Sequence, residues 1–253
     1  MKLIDSHIHF DRYTKAERNE ILKQDNLEFL ITVSMNLQSS IENLHISNGN
    51  QRLKTAFGYH PEQPIPSEKE TKELLLWMES HLQSMIAVGE VGLPFYKRQE
   101  EPAINLKEYI SLLEKFIKFA KQHNKPIILH AVYDDAPVVC ELLEKYEVKK
   151  AHFHWFKGDE ETIKRMIHNG YFISITPDVC YEEEIQALVE KYPLEQMMIE
   201  TDGPWEFEGM FAGQMTNPRM MNETVKKIAQ IKKLDIHKVY KILYMNTVGF
   251  YNL

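Results

Sequence analysis

Eight short apolar runs, each followed by a longer amphipathic segment, constrain this chain more than any other feature. They are LIDSHIHF (3–10), LEFLITVSM (27–35), LKTAFGYH (53–60), MIAVGEVGL (85–93), PIILHAV (126–132), KKAHFHWF (149–156), YFISITP (171–177) and MMIETDGP (197–204). Ile, Val and Phe dominate them, which suits strands. Between the runs, apolar residues recur at three- and four-residue intervals. The plainest case is 104–124, where Leu106, Tyr109, Ile110, Leu113, Ile117 and Ala120 trace one helical stripe. Strand and helix alternating eight times predict a parallel sheet with helices outside it. Eight such units in 253 residues most simply close into a (β/α)8 TIM barrel, an α/β fold. An open doubly wound sheet is the runner-up, but DSHIHFDRY carries no glycine where a GxGxxG dinucleotide fingerprint would follow the first strand. No Pro/Gly/Ser-rich linker divides the chain, so 1–253 reads as one domain. Helices over roughly 219–232, 235–244 and 246–251 are expected to pack on the barrel exterior.

The polar residues inside these apolar runs carry the functional signal. Side chains alternate along a strand, so His7 and His9 point to one side about 7 Å apart. In a barrel of this type the active site forms at the C-terminal strand ends. His7 and His9 close the first run, His60 the third, Glu90 lies in the fourth, His130 in the fifth, His154 in the sixth and Asp202 in the eighth. His45, His81, His123, His168 and His237 fall in helical or helix-terminal segments and read as surface residues. Taken singly, His130 reads as a hydrogen-bonded core histidine, Glu90 as a salt-bridged carboxylate and Asp202 as a turn residue before Gly203. Together they read as one site, because polar groups pointing into a barrel cost several kcal/mol unless something satisfies them. A divalent cation satisfies all of them. Imidazoles and carboxylates without thiolate suit Zn, Mn, Fe or Co better than an all-oxygen Mg site. Six ligands exceed what one tetrahedral ion takes, which points to two ions bridged by a carboxylate.

Charge and cysteine usage narrow the alternatives. A net charge of −7 excludes a surface built to neutralise nucleic-acid phosphates along a groove. Cys140 and Cys180 are too few and too far apart for a disulfide framework or a CxxC site, so both read as reduced. No segment has the apolar length of a signal peptide or membrane span, and a cytoplasmic location is expected, with no obligate protein partner evident.

In this order and spacing, DSHIHF, GYHP (58–61), GEVGL (89–93), PIILH (126–130), HWFKG (154–158), IETDGP (199–204), NPRMMNE (217–223) and NTVGFY (246–251) resemble the TatD family of metal-dependent hydrolases, within the amidohydrolase superfamily. The resemblance covers essentially the whole chain. It implies a (β/α)8 barrel holding two divalent ions. His7 and His9, with Asp202 nearby, would hold the first ion; Glu90 would bridge; His130 and His154 would hold the second. His60 matches a position beside the substrate. The resemblance further implies a deoxyribonuclease that trims DNA ends, often from the 3′ side, through a metal-activated water with Asp202 as the proton acceptor. Zn, Mn, Fe, Co and Mg all remain open for the ions.

Several positions depart from the family pattern. Pro94 stands where Asp is usual, Val132 where Arg is usual, and HWFKG and ETDGP replace HCFSG and ETDSP. Val132 removes a planar fork suited to phosphate, and Lys157 offers a point charge in its place. Trp155, Phe156 and Trp205 are candidates for stacking on a terminal base. His152, one layer deeper than His154, reads as a buried supporting donor. The alternatives are a same-fold hydrolase of a small ester, lactone or amide, and a non-catalytic binding barrel.

Overall fold

Each apolar run does form a strand in the computed structural model, which describes residues 1–253. The strands are β1 (Leu3–Ile8), β2 (Leu27–Thr32), β3 (Leu53–Phe57), β4 (Met85–Gly92), β5 (Ile127–His130), β6 (Ala151–Phe153), β7 (Phe172–Ile175) and β8 (Met197–Ile199). They pair in chain order, every neighbour parallel. Ten α-helices follow the strands or extend them: α1 (Lys15–Leu22), α2 (Leu37–Ser47), α3 (Glu68–Ser80), α4 (Phe95–Glu100), α5 (Leu106–Gln122), α6 (Asp135–Lys145), α7 (Glu160–Asn169), α8 (Glu183–Lys191), α9 (Met221–Lys232) and α10 (Ile236–Tyr251). The architecture is a single-domain (β/α)8-like TIM barrel with extra C-terminal helices. None of its helices is long and apolar enough to cross a membrane.

Helix starts follow from local chemistry. Thr14 with Glu17, and Ser67 with Glu70, form reciprocal capping boxes at α1 and α3, satisfying backbone N–H groups that have no intrahelical partner. Along α5, Tyr109, Leu113, Ile117 and Ala120 of the expected stripe are buried, and Leu106 and Ile110 are half-buried at its margin. Most of the hydrophobic core lies between the outer strand faces and the helices, a cluster of 54 buried side chains against only eight in a second cluster containing Ile31, Ala56, Ile128 and Met198. Stability therefore resides in the outer shell. That leaves the barrel lumen free to carry polar groups.

The C-terminal region differs from expectation. One helix, α10, spans the whole of 236–251 where a break near 245 was expected. Asn246, which resembles a helix breaker, donates its side-chain amide to the Leu194 and Met197 carbonyls at 2.7 Å each, fastening α10 to the start of β8. Nor does α10 lie wholly outside the barrel. Its last residues, Phe250 and Tyr251, pack with Ile31, Ala56 and Ile128 and meet His152, closing the barrel end opposite the strand C-termini.

Gly92 shows why GEVGL needs its second glycine. A Cβ there would stand 1.9 Å from the His130 carbonyl oxygen, because β4 and β5 approach that closely. Gly92→Ala is therefore expected to destabilise the protein by about 3 kcal/mol, and to displace His130. Denaturant unfolding combined with metal analysis of the folded fraction checks both effects.

Candidate metal centre

The seam where β8 meets β1 builds half of the site. β8 ends at Ile199, and the next four residues run alongside β1. Asp202 N–H donates to the His7 carbonyl at 3.0 Å and His9 N–H donates to the Gly203 carbonyl at 2.8 Å. Asp202 has φ +48°, a left-handed conformation that aspartate tolerates better than most residues, and so projects from a tight bend. Below it, the buried Asp5 carboxylate accepts the Thr201 N–H at 3.0 Å and the Thr201 hydroxyl at 2.6 Å. Burial raises the Asp5 carboxyl to about 7, against the lowering effect of these bonds. The aspartate of DSHIHF thus latches the barrel shut, and the alternation of the strand puts His7 and His9 on the same inner face above it.

The structure brings His7, His9, Glu90, His130, His154 and Asp202 together at the C-terminal strand ends. His7 Nε2 lies 3.2 Å from both Glu90 Oε2 and Asp202 Oδ1. His9 Nε2 lies 3.4 Å from the same two oxygens. On the other side, Glu90 Oε1 is 3.0 Å from His130 Nδ1 and 2.7 Å from His154 Nε2, and those nitrogens are 3.2 Å apart. A tetrahedral ion with bonds of about 2.1 Å separates its ligand atoms by about 3.4 Å. The first set has that spacing, at 3.2 to 3.4 Å, and the second is tighter, at 2.7 to 3.2 Å. His7 Nε2, Glu90 Oε2 and Asp202 Oδ1 are also buried without an aligned hydrogen bond despite their closeness. They converge on a point between them, as ligands of a shared cation do. Three overlapping sets have ligand atoms close enough to share an ion, His7 with Glu90 and His154, His7 with His9 and Asp202, and His9 with His60 and Glu90. The first two are wholly buried, and such His/Glu/Asp clusters fit two divalent ions, with His130 joining through its contacts to Glu90 and His154.

Without ions the cluster holds its charge by mutual attraction. Burial alone would favour a neutral Glu90, but the charges of His154, His60 and His7 hold its carboxyl well below the usual range. Asp202 is pulled down against burial by the His7 and His9 imidazoles beside it. Burial opposes charge on His9, yet Asp202 and Glu90 lift it to about 9. His154 and His130 are raised against burial by carboxylate partners, Glu90 foremost for His154 and Glu62 for His130. His60 goes the other way, lowered to about 3 by burial.

A pH dependence follows for the ion-free protein. His9 stabilises the fold fully below its ordinary 6.5 and loses that contribution as pH rises through about 9. His60 costs stability as pH falls from 6.5 toward 3, since the unfolded chain takes up the proton first. Between them these two histidines contribute most near 6.5, the ordinary value both leave, and the alkaline decline of the chelated protein should run from there through about 9. Loading ions should remove the alkaline decline, because cations replace those protons. Denaturation midpoints from pH 5 to 9, with and without chelator, measure this; an unchanged alkaline limb on loading would contradict it.

A supporting layer lies beneath. Glu200 accepts the Trp155 N–H at 2.9 Å and the Ser174 hydroxyl, and its Oε1 stands 3.6 Å from His154 Nδ1. His152 sits between Ser174 Oγ at 2.6 Å and the Tyr251 hydroxyl at 2.7 Å, a buried member of this network one layer below the centre. Glu200 and Asp5 were missed in the sequence, although the period-two alternation with Asp202 and His7 points to both.

His60 Nε2 lies 3.4 Å from Glu90 Oε1, and its Nδ1 accepts the Glu62 N–H at 3.2 Å. With Nδ1 accepting, the ring proton is on Nε2 and aims into the site, so His60 presents a donor rather than a ligand lone pair. Lys157 is half-buried on the rim, its ammonium 5.7 Å from the Trp155 ring, and is not brought against the six converging residues. Trp155 packs against Trp205, which is 60% exposed, while Phe156 is buried in the core. His45, His168 and His237 are exposed and His81 and His123 half-buried, all away from the centre.

The family model described as TatD related DNase matches residues 4–252. An uncharacterized metal-dependent hydrolase of Haemophilus influenzae is 37% identical over 252 residues, covering 99% of this chain and 100% of that one. A human protein named as a deoxyribonuclease is 26% identical over 265 residues, covering 98% and 94%. Among solved structures, a TatD homologue from Escherichia coli superposes with a TM-score of 0.83 at 22% identity over 99% of this chain and 98% of that one, a likeness of fold.

Proposed function

The chain belongs to the TatD family of metal-dependent hydrolases, in the amidohydrolase superfamily, and from that premise we propose that it hydrolyses phosphodiester bonds at DNA ends. One observation carries the reading: the Glu90 carboxylate is split between two clusters, Oε2 toward His7 and His9, Oε1 toward His130 and His154. In this reading His7, His9 and Asp202 hold one ion, His130 and His154 the other, and Glu90 bridges. Bound divalent ions supply Lewis acidity toward a phosphoryl oxygen and acidify a water toward neutral pH.

The chain's own groups complete the chemistry. Asp202, anionic and at the mouth of the seam, orients the attacking water and accepts its proton. His60 Nε2–H donates to a non-bridging phosphate oxygen, its direction set by the Glu62 N–H behind it. Lys157 contributes charge from the rim, and exposed Trp205 offers a face for a terminal base. The human relative's name as a deoxyribonuclease supports the substrate class.

Hydrolysis of a small ester, lactone or amide is the second reading, and specific observations favour it. Val132 is buried, and the guanidinium of Arg98 is engaged by Asp135 at 2.6 Å, so neither supplies a free fork for phosphate. Negative groups also surround the mouth: Glu62, Glu184, Asp178 and Asp202 all act on the Tyr96 hydroxyl. The discriminating experiment assays metal-loaded protein on a single-stranded oligonucleotide labelled at each end in turn, beside a panel of small esters. Loss of terminal nucleotides supports the first reading; turnover of esters alone overturns it.

A further inference from the structure

Glu62 follows GYHP in a polar loop and nothing in the chain's apolar pattern marks it, yet it touches two histidines of the centre and the first turn of α4. Its backbone N–H donates to His60 Nδ1 at 3.2 Å. Its Oε1 lies 3.1 Å from His130 Nε2 and accepts the Tyr96 N–H at 3.0 Å. Its Oε2 accepts the Lys97 N–H at 2.6 Å. The two backbone donors belong to the first turn of α4, so the carboxylate is held on the far side of His130 from Glu90. Tyr96 in turn lies over His130, ring centroids 6.0 Å apart.

We propose that Glu62 is a positioning residue for the second ion: its carboxylate accepts the Nε2–H of His130 and so fixes the ring with Nδ1 turned toward the point shared with His154 and Glu90. This rests on the two-ion reading above. Carboxylates face both ring nitrogens, Glu62 Oε1 at 3.1 Å from Nε2 and Glu90 Oε1 at 3.0 Å from Nδ1; once an ion takes Nδ1 together with His154 and Glu90, the remaining ring proton is on Nε2, and Glu62 is the acceptor placed to hold it. In neutral imidazole the other nitrogen is then the lone-pair donor, and a carboxylate behind a ligating histidine raises its basicity and fixes its ring. Glu200 stands in a comparable place behind His154 Nδ1 at 3.6 Å. The first cluster has no such contact with Glu62, so the two ions should respond differently to its loss.

The test is a zinc titration of chelated protein by competition with a chromophoric chelator, on wild type, Glu62→Ala and Glu62→Gln. Nitrogen NMR of histidine-labelled protein reports which nitrogen of His130 is protonated, with His130→Gln used for assignment. Wild type should take two ions. Glu62→Ala should keep the tighter site and weaken the other about 10- to 100-fold, while His130 loses its single tautomer. Glu62→Gln keeps an acceptor oxygen and should recover part of the affinity. Two sites at wild-type affinity in Glu62→Ala, or equal weakening of both, would overturn the inference, the latter marking a merely structural role. A wild type that binds no pair of ions would instead remove the two-ion reading, and this inference with it.

Discussion

Asp202→Asn is expected to retain both ions and to lose turnover by about a thousandfold, within the range for removing a positioned acid–base group. The amide is nearly isosteric and keeps an oxygen to place where Asp202 Oδ1 lies, 3.2 Å from His7 Nε2 and 3.4 Å from His9 Nε2. What it loses is the negative charge and the capacity to accept a proton. In the ion-free protein the imidazoles of His7 and His9 beside it keep Asp202 ionised against burial. Elemental analysis and single-turnover kinetics on the same preparation separate binding from chemistry. Wild-type rates with full occupancy would show that another group takes the proton.

Glu90→Ala should have the larger effect on the centre itself, abolishing stable binding of both ions and all metal-dependent activity. Its two oxygens are shared between the clusters, so truncation removes a ligand from each at once. Loss beyond about 100-fold in affinity is expected at each site, since even groups behind the ligands cost 10- to 100-fold. The ion-free protein should suffer as well. Five imidazoles, those of His7, His9, His60, His130 and His154, lie against this one carboxylate. The charge that Glu90 supports on His9, His130 and His154 would lose its partner; breaking a buried pair by deleting one partner commonly costs about 3–5 kcal/mol. Glu90→Gln should fall between the two. Zinc titration and calorimetry of the stripped variants measure these effects, and a Glu90→Ala protein carrying two ions would refute the bridge.

The barrel and most of its centre were legible because two periodicities are distinct. Alternation of period two at His7 and His9, and stripes of period 3.6 in α5, separate strand from helix without further information. The polar residues stood out because they interrupt apolar runs. The runs nevertheless overstate the strands: β3 ends at Phe57, β6 at Phe153 and β8 at Ile199, whereas the apolar character continues into the loops carrying His60, His154 and Asp202. Those loops are buried by the site they build, so their composition resembles that of strands. Glu62 was illegible for the opposite reason. It lies in PEQP, a stretch that reads as solvated loop, and only the fold brings it to His130 across 68 positions. The burial of Phe250 and Tyr251 beneath the lumen was equally hidden, since helical periodicity fixes a face but not what that face meets.

The latch between Asp5 and Thr201 joins groups 196 residues apart. Bringing such distant segments together costs loop-closure entropy and needs nearly the whole chain, so their pairing is expected late in folding. A nascent chain arrested before Thr201 would possess all eight staves of the barrel and every imidazole of the centre in their own segments, but no hoop and no reactive mouth. Ion uptake therefore doubles as a readout of ring closure, and ions, by favouring the closed form, should act as a ligand-driven ratchet on the last step of its assembly.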